Sequence, residues 1–406
     1  MSAGQSIRRE LCPEPCDPSE LEQVLLYKYR SSGGDRKDPL ALLFPGEPDQ
    51  HAVRLRFTDK FALKDIEAGP RLTDEDVSDL RGRIEREVLA PGPTRVGNWV
   101  LFAALPVSGR IRCGDNFQIL PVPPHAPRPT FLMADYPFLL QFRFAGSSNA
   151  GVEYARRGRR GLELELILSG LVANHIRSNR TTLHGWAIPA AAGDPPRVQD
   201  SILCQLGYHY EGFRAIQDEF SVGDGVPLLK TVPANEYYVL SRPSREQELP
   251  ATFAASIEAY SSLTPRLRRK FLNSCAWLQH SHTFFCSSQS ASYMSLVLAV
   301  EALMPPPEEG KTCDACRRHA GKGPTQRFKE FMAAFAPSGE GYSAELDRIY
   351  KMRSKLAHGG GLLLSDREPY GSAGLEGFEE WRRRSRLHQL VQVAVVNWLF
   401  QASHSA

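Results

Sequence analysis

The run Leu296-Val-Leu-Ala-Val-Glu-Ala-Leu-Met304 constrains this chain more than any other stretch. It is apolar save for Glu301, and residues 288–304 as a whole read as a helix. A helix apolar on every side has to be enclosed by other elements. It falls short of the ~20 residues that cross a bilayer. The chain must therefore bring several helices around this one. The lone acid within it must be neutral or paired.

A cation on a second apolar stripe is the natural partner, and Arg353 is one. The stretch Asp347-Arg-Ile-Tyr-Lys-Met-Arg-Ser-Lys-Leu-Ala-His-Gly-Gly-Gly361 has helical periodicity. Leu346, Ile349, Met352, Leu356 and Ala357 fall on one side of it. The three glycines stop it, because glycine adopts the left-handed cap freely. A guanidinium cannot be neutralised inside a protein, so Arg353 within the stripe needs acceptors, and Glu301 is the expected one. His358 lies five residues on, in the last turn. A fixed cation and a titratable imidazole suit phosphodiester chemistry: one stabilises charge on phosphate oxygens and the other moves protons. Five residues turn a helix by about 140°, so the two side chains do not share a face. They converge only through the long arginine stem, a frayed last turn, or a second copy of the helix across a dimer axis. The plain alternative is an arginine that snorkels and a histidine that closes the helix.

Arg353-x4-His358, in the context Ile-Tyr-Lys-Met-Arg-Ser-Lys-Leu-Ala-His-Gly, resembles the signature of the HEPN superfamily, and most of all its Apea-like branch in prokaryotic defence and stress proteins. Residues 293–304, with Glu301, resemble an earlier HEPN helix that carries an acid. The resemblance covers roughly the last third of the chain. It implies an all-α bundle acting as a metal-independent endoribonuclease, a toxin-like effector of antiviral, abortive-infection or stress defence. It implies cleavage of RNA by 2′-OH attack, no cofactor for catalysis, and a homodimer whose two key helices compose one site. By this resemblance Arg353 would neutralise the scissile phosphate and His358 would act as general acid or base. Glu301 would hold Arg353, while Ser354 and Lys355 would support phosphate binding. Many active members carry Asn, Asp or His where Ser354 stands. That departure keeps a second reading open, a non-catalytic dimerisation or RNA-binding module.

Charge is distributed unevenly. From Pro265 onward 19 Lys and Arg face 13 Asp and Glu, while the rest of the chain carries 30 against 33. The basic share falls on the segment that resembles a ribonuclease, as a phosphate-bearing partner requires, although a solvated basic face has the same composition. With no apolar run of membrane length and no apolar signal core after Met1, a cytoplasmic protein without a membrane partner is expected. The eight cysteines are dispersed, which argues against a disulfide framework. Cys313-x2-Cys316 has the spacing of a thiolate pincer and His319 offers a third ligand, so this loop reads equally as a structural-zinc half-site or as reduced thiols. A fourth ligand would come from Cys275, Cys286, His280, His282 or a second subunit.

The expected architecture is α+β: a β-rich N-terminal domain over residues 1–245, then a helical bundle over 250–406 with the Cys-x-x-Cys loop. By analogy with other members the first domain is a sensor, whose trigger its residues do not identify. Residues 1–20 read as loose. Leu25–Tyr29, Leu40–Phe44 and Val53–Phe57 read as strands, and Thr73–Leu89 as a helix capped by Thr73. Strand-like runs follow at Trp99–Leu105, Ile111–Cys113, Phe117–Leu120, Phe138–Phe144, Leu162–Val172, Trp186–Ile188 and Tyr237–Leu240. Gly151–Arg160, with four arginines, reads as a solvated or phosphate-reading loop, and Arg242–Pro250 as a linker. Helices are expected over Thr252–Leu263, from Pro265 to about Phe285, over Ser288–Met304 and Thr325–Phe335, from about Ala344 to His358, and over Phe378–Ala402. The arginines opening the last one either line an RNA path or face solvent.

Overall fold

A computed structural model describes residues 4–13, 16–129, 135–178, 184–188, 201–205, 208–238, 244–285, 287–306, 322–367 and 374–405. The chain forms two compact units. One comprises Met1–Asn98, Phe142–Leu162 and Ala215–Phe220, and the other Trp99–Gln141, Glu163–Arg214 and Ser221–Ala406. The described residues are mixed helix and sheet, with most strands in the N-terminal half and helices dominating the C-terminal half, an α+β arrangement.

The first unit opens with α1 (Arg8–Leu11) and α2 (Pro18–Tyr29). Ile7, Leu11 and Cys12 are buried, so this terminus is packed, contrary to the loose reading. The Sγ atoms of Cys12 and Cys16 lie 3.1 Å apart. Leu25–Tyr29 belongs to α2 and not to a strand. Asp17 caps α2 by accepting the Ser19 N–H, and Pro18 takes the first-turn position where its missing donor does no harm. An antiparallel sheet follows in the order β1 (Gly33–Gly34), β2 (Ala41–Phe44), β3 (Val53–Phe57) and β4 (Leu63–Ala68). The alternation of Val53-Arg-Leu-Arg-Phe puts Val53 and Leu55 into the core, while Arg54 and Arg56 meet Asp38 and Glu67. Then comes α3 (Asp74–Ile84), opened by a capping box between Thr73 and Asp76 and continued by one π-helical turn, Glu85–Leu89. Val77, Leu80, Ile84 and Val88 form its buried stripe.

Next in the chain come β5 (Thr94–Ala103), β6 (Ile111–Cys113), β7 (Phe117–Pro121), β8 (Arg128–Pro129) and β9 (Tyr136–Ala145), and then the 22-residue α4 (Ala150–Leu171). This helix overturns two strand-or-loop readings. Leu162–Val172 is its second half, and the arginine-rich Gly151–Arg160 is its first. In the first unit Arg156 donates to Glu20 at 2.8 Å and to the carbonyls of Gly146 and Val88, and Arg159 donates to Glu20 at 3.0 Å. Arg157 is buried against the Asn98 carbonyl. These three arginines are structural ties. The short strands β10 (Ile176–Arg177), β11 (His184–Ile188), β12 (Ser201–Gln205) and β13 (Ile216–Gln217) come next. The main sheet has the order β10-β5-β9-β7-β6 with β13 also on β5, and β12-β11-β8 form a second sheet.

In the second unit β14 (Thr231–Val232) pairs in parallel with β15 (Leu249–Pro250), and α5 (Ala234–Tyr237) lies between them in sequence. The end of the presumed linker is thus a strand, and Tyr237 ends a helical turn. The helices α6 (Phe253–Ser262), α7 (Pro265–Phe285), α8 (Gln289–Leu303), α9 (Pro324–Phe335), α10 (Tyr342–Ala357), α11 (Leu364–Arg367) and α12 (Gly374–His404) complete the chain. The apolar helix α8 packs against α7, α9, α10, α11 and α12, the enclosure its sequence demands. Gly170 of α4 lets α7 approach: a Cβ there would sit 2.4 Å from Cys275 Sγ. Among the described residues no helix is long and apolar enough to cross a membrane.

Candidate functional site

Helix α10 turns Leu346, Ile349 and Tyr350 into the bundle. Arg353 follows one turn after Ile349 and Tyr350 and is about one-fifth exposed. Its Nη2 donates to Glu301 Oε2 at 3.1 Å, and the Tyr350 hydroxyl donates to Glu301 Oε1 at 3.0 Å. The acid in the apolar helix α8 therefore has two partners, both from α10. Burial first, and the facing Glu301 carboxylate second, push the Tyr350 hydroxyl above its ordinary pKa. The Arg353 guanidinium also lies 5.6 Å from the centre of the Tyr350 ring. Its Nε is buried with no hydrogen-bond partner among the described residues. The expected pairing of Glu301 with Arg353 is present in the structure.

His358 is the C-cap of α10, its backbone N–H donating to the Ser354 carbonyl at 3.1 Å. It is exposed, as are Lys355 and Ala357, and Gly359 follows with a φ of 73°, a left-handed conformation suited to glycine. The Gly360 N–H closes on the Lys355 carbonyl at 2.8 Å. Among the described residues no hydrogen bond or ring contact joins the His358 imidazole to Arg353 or Glu301. The structure thus brings Arg353, Glu301 and Tyr350 together. It leaves His358 and Lys355 on the outer last turn, with Ser354 half-buried between. Tyr350 is a member of this group that sequence reasoning missed. Its place one turn before Ser354 and three residues before Arg353 was the available signal.

Two further features bear on the earlier expectations. Cys313, Cys316 and His319 lie outside the described residues, as does Cys286. Among the described residues no cluster of His, Cys, Asp or Glu side chains is arranged to hold a metal ion. Cys275 is buried in α7, and His282 is committed elsewhere: its Nε2 lies 3.0 Å from His388 Nε2, and its ring stacks on His175 with centroids 5.2 Å apart. A hydrogen bond between two Nε2 atoms requires that one imidazole carry its proton there and the other not. Burial pushes His388 down to about 3 and His175 to about 4, and burial foremost, with His388, His175 and Arg384 alongside, holds His282 well below the ordinary value. All three are therefore neutral near pH 7. Arg384 runs beside them, buried, donating to Ser292 Oγ at 3.0 Å with its guanidinium 4.3 Å from the Phe285 ring centre. It is thus neither solvent-facing nor available to RNA, unlike its neighbours Arg382 and Arg383, which are exposed.

Chemically, the α8–α10 constellation supplies a largely buried guanidinium held by a carboxylate that a phenol also engages, with an imidazole at the end of the same helix. Comparison with family models, with curated proteins and with solved structures finds no match to this chain.

Proposed function

We propose that the helical segment 250–406 is a HEPN-type, metal-independent endoribonuclease acting as a toxin-like effector in antiviral, abortive-infection or stress defence. The observation that supports this reading best is the fastening of Arg353 by Glu301 at 3.1 Å, one turn before the exposed His358. A guanidinium held by a carboxylate is pre-oriented and still has N–H donors left for a phosphate oxygen. In the proposed reaction the ribose 2′-OH attacks the adjacent phosphorus, the 5′-oxygen leaves, and a 2′,3′-cyclic phosphate remains. His358 takes the 2′-OH proton or delivers one to the leaving oxygen, and Arg353 offsets the charge that grows on the phosphate. The angular separation of the two residues on α10 makes a homodimer, with two copies of α10 facing one RNA strand, the natural active form. Ser354 and Lys355 then add phosphate contacts.

A second reading has its own observation. No hydrogen bond or ring contact joins His358 to the Arg353 group among the described residues, and Ser354 departs from the residue types common in active members. Both favour a HEPN-like module that dimerises or binds RNA without cutting it. Incubating end-labelled RNAs with the purified chain in EDTA separates the two. Cleavage that Arg353→Ala and His358→Ala each abolish supports the ribonuclease, as does its loss on 2′-deoxy substitution at the scissile nucleotide. Binding without cleavage supports the module. Cleavage that survives both substitutions removes these residues from the site.

A further inference from the structure

The opposite flank of α10 borders a cleft of about 670 Å³ whose other wall is the start of α12. Arg348 and Met352 line it from α10, Trp381 and Arg383 from α12, with Leu363 and Tyr293 completing the apolar part. Met352 and Arg353 are separated by about 100° on the helix, so this cleft is a different place from the Glu301 pair. The volume falls in the ordinary range for small-molecule sites, roughly 300–1,000 Å³.

The charges in it are matched unequally. Each acid on its walls is engaged: Glu345 with Arg386 at 3.6 Å, Glu379 with Arg382 at 3.2 Å, and Glu380 with the Leu364 N–H at 2.7 Å. Arg348 and Arg383 have no hydrogen-bond or ion-pair partner among the described residues. The cleft therefore holds two unanswered guanidiniums, which suit a doubly charged oxyanion such as phosphate. Beside them Trp381 is 43% exposed and rests on Phe378, with ring centroids 5.7 Å apart. An indole half open to a cleft is a stacking surface for a planar ring. The Tyr293 hydroxyl is already satisfied by the Ile349 carbonyl at 3.2 Å, so this part of the wall is apolar in effect.

We propose that this cleft binds a nucleotide, its phosphate taken by Arg348 and Arg383 and its base laid against Trp381. The site stands independently of the ribonuclease reading. Nucleotide chemistry also reaches it in two forms, free or as the end of an RNA strand, and the test distinguishes them.

The experiment titrates adenosine monophosphate, inorganic phosphate and a short single-stranded RNA into the full chain, read by tryptophan fluorescence and by calorimetry. Saturable binding of the mononucleotide is expected, tighter than that of inorganic phosphate. Arg348→Ala and Arg383→Ala are each expected to weaken it by about tenfold or more, the loss of a charge-assisted contact. Trp381→Phe should abolish the fluorescence change while calorimetry still shows binding. The three substituted side chains, Arg348, Trp381 and Arg383, are exposed, and an unchanged thermal midpoint checks that each variant folds. Absence of saturation up to about 5 mM mononucleotide overturns the proposal. So does binding unaffected by both arginine substitutions, binding of phosphate as tight as the nucleotide, or binding of the RNA strand alone. Arg353→Ala abolishes cleavage on the ribonuclease reading but leaves mononucleotide binding here intact, so the two readings fail separately.

Discussion

At the scale of single residues, two interior polar groups, buried or half-buried, make the sharpest predictions. Glu301, with Arg353 and Tyr350, is a partly buried network whose members depend on each other. Glu301→Ala leaves the guanidinium and the phenol short of an acceptor and is expected to destabilise by roughly 1–3 kcal/mol. In a double-mutant cycle with Arg353→Ala the two losses are expected to sum to more than the double variant shows, because both remove the same contact. Denaturant midpoints check this. The second group is the His175–His282–His388 stack. Each folded-state pKa is depressed below the unfolded value of 6.5, with His388 at about 3 and His175 at about 4. Between those values the unfolded chain binds more protons than the folded one, so stability is lost as pH falls from about 6.5 toward 4. The slope is about 1.4 kcal/mol per pH unit for each histidine that is protonated only on unfolding. A urea series across that range is expected to show it, and His388→Gln should flatten the slope. The pairing of Glu301 was legible in the sequence, since a lone acid in an apolar helix has few ways to be satisfied. The histidine stack was not. His175, His282 and His388 are more than a hundred residues apart pairwise, and nothing local distinguishes them from surface imidazoles.

At the scale of elements, helix ends and close approaches carry the information. The N-terminus of α8 is held by Ser288, which accepts the Ala291 N–H at 3.1 Å, and by Asp366, which accepts from Ser288 Oγ and from the N–H groups of Gln289 and Ser290. Burial works against the Asp366 carboxylate, but these hydrogen bonds, with those from Ser290 foremost, outweigh it and hold its pKa below the ordinary value. Its contribution is therefore present above the ordinary carboxylate pKa and lost as pH falls through the depressed one. Asp366→Ala is expected to lower the thermal midpoint at pH 7 and to have little effect in acid. Gly170→Ala at the α4–α7 crossing places a Cβ against Cys275 Sγ and is expected to destabilise by roughly 1–3 kcal/mol, with Cys275→Ala in the same chain restoring part of the loss. The Thr73 cap was readable in advance, because capping is a local hydrogen-bond problem. The misreading of α4 has a physical cause. Its residues 162–172 alternate apolar with Glu163 and Glu165 as a half-buried strand would, and only tertiary partners, Tyr260 for Glu163 and Ser178 with Gln279 for Glu165, select the helix.

At the scale of the whole molecule, the basic excess of residues 265–406 bears on the proposed RNA partner. On that reading RNA affinity falls as salt rises, with a log–log slope near −0.7 for each phosphate neutralised in a single strand. Lys355→Ala should reduce the slope, whereas Arg384→Ala, which removes a buried guanidinium, should act mainly through stability. What the linear chain settles here is local or one-sided: the helices of the last third, the glycine stop after α10, the burial of α8, and the need of Glu301 for a cation. Each follows from spacing and hydrogen-bond chemistry within a few turns of chain. What tertiary structure alone decides is partnership across distance. It makes Arg156, Arg157 and Arg159 ties to Glu20 and the backbone, turns Arg384 inward, stacks three histidines, and leaves Arg348 and Arg383 without a partner among the described residues, beside Trp381. A charged side chain has the same composition whether it faces water, an anion or a buried carbonyl, and only the fold determines which of these it meets.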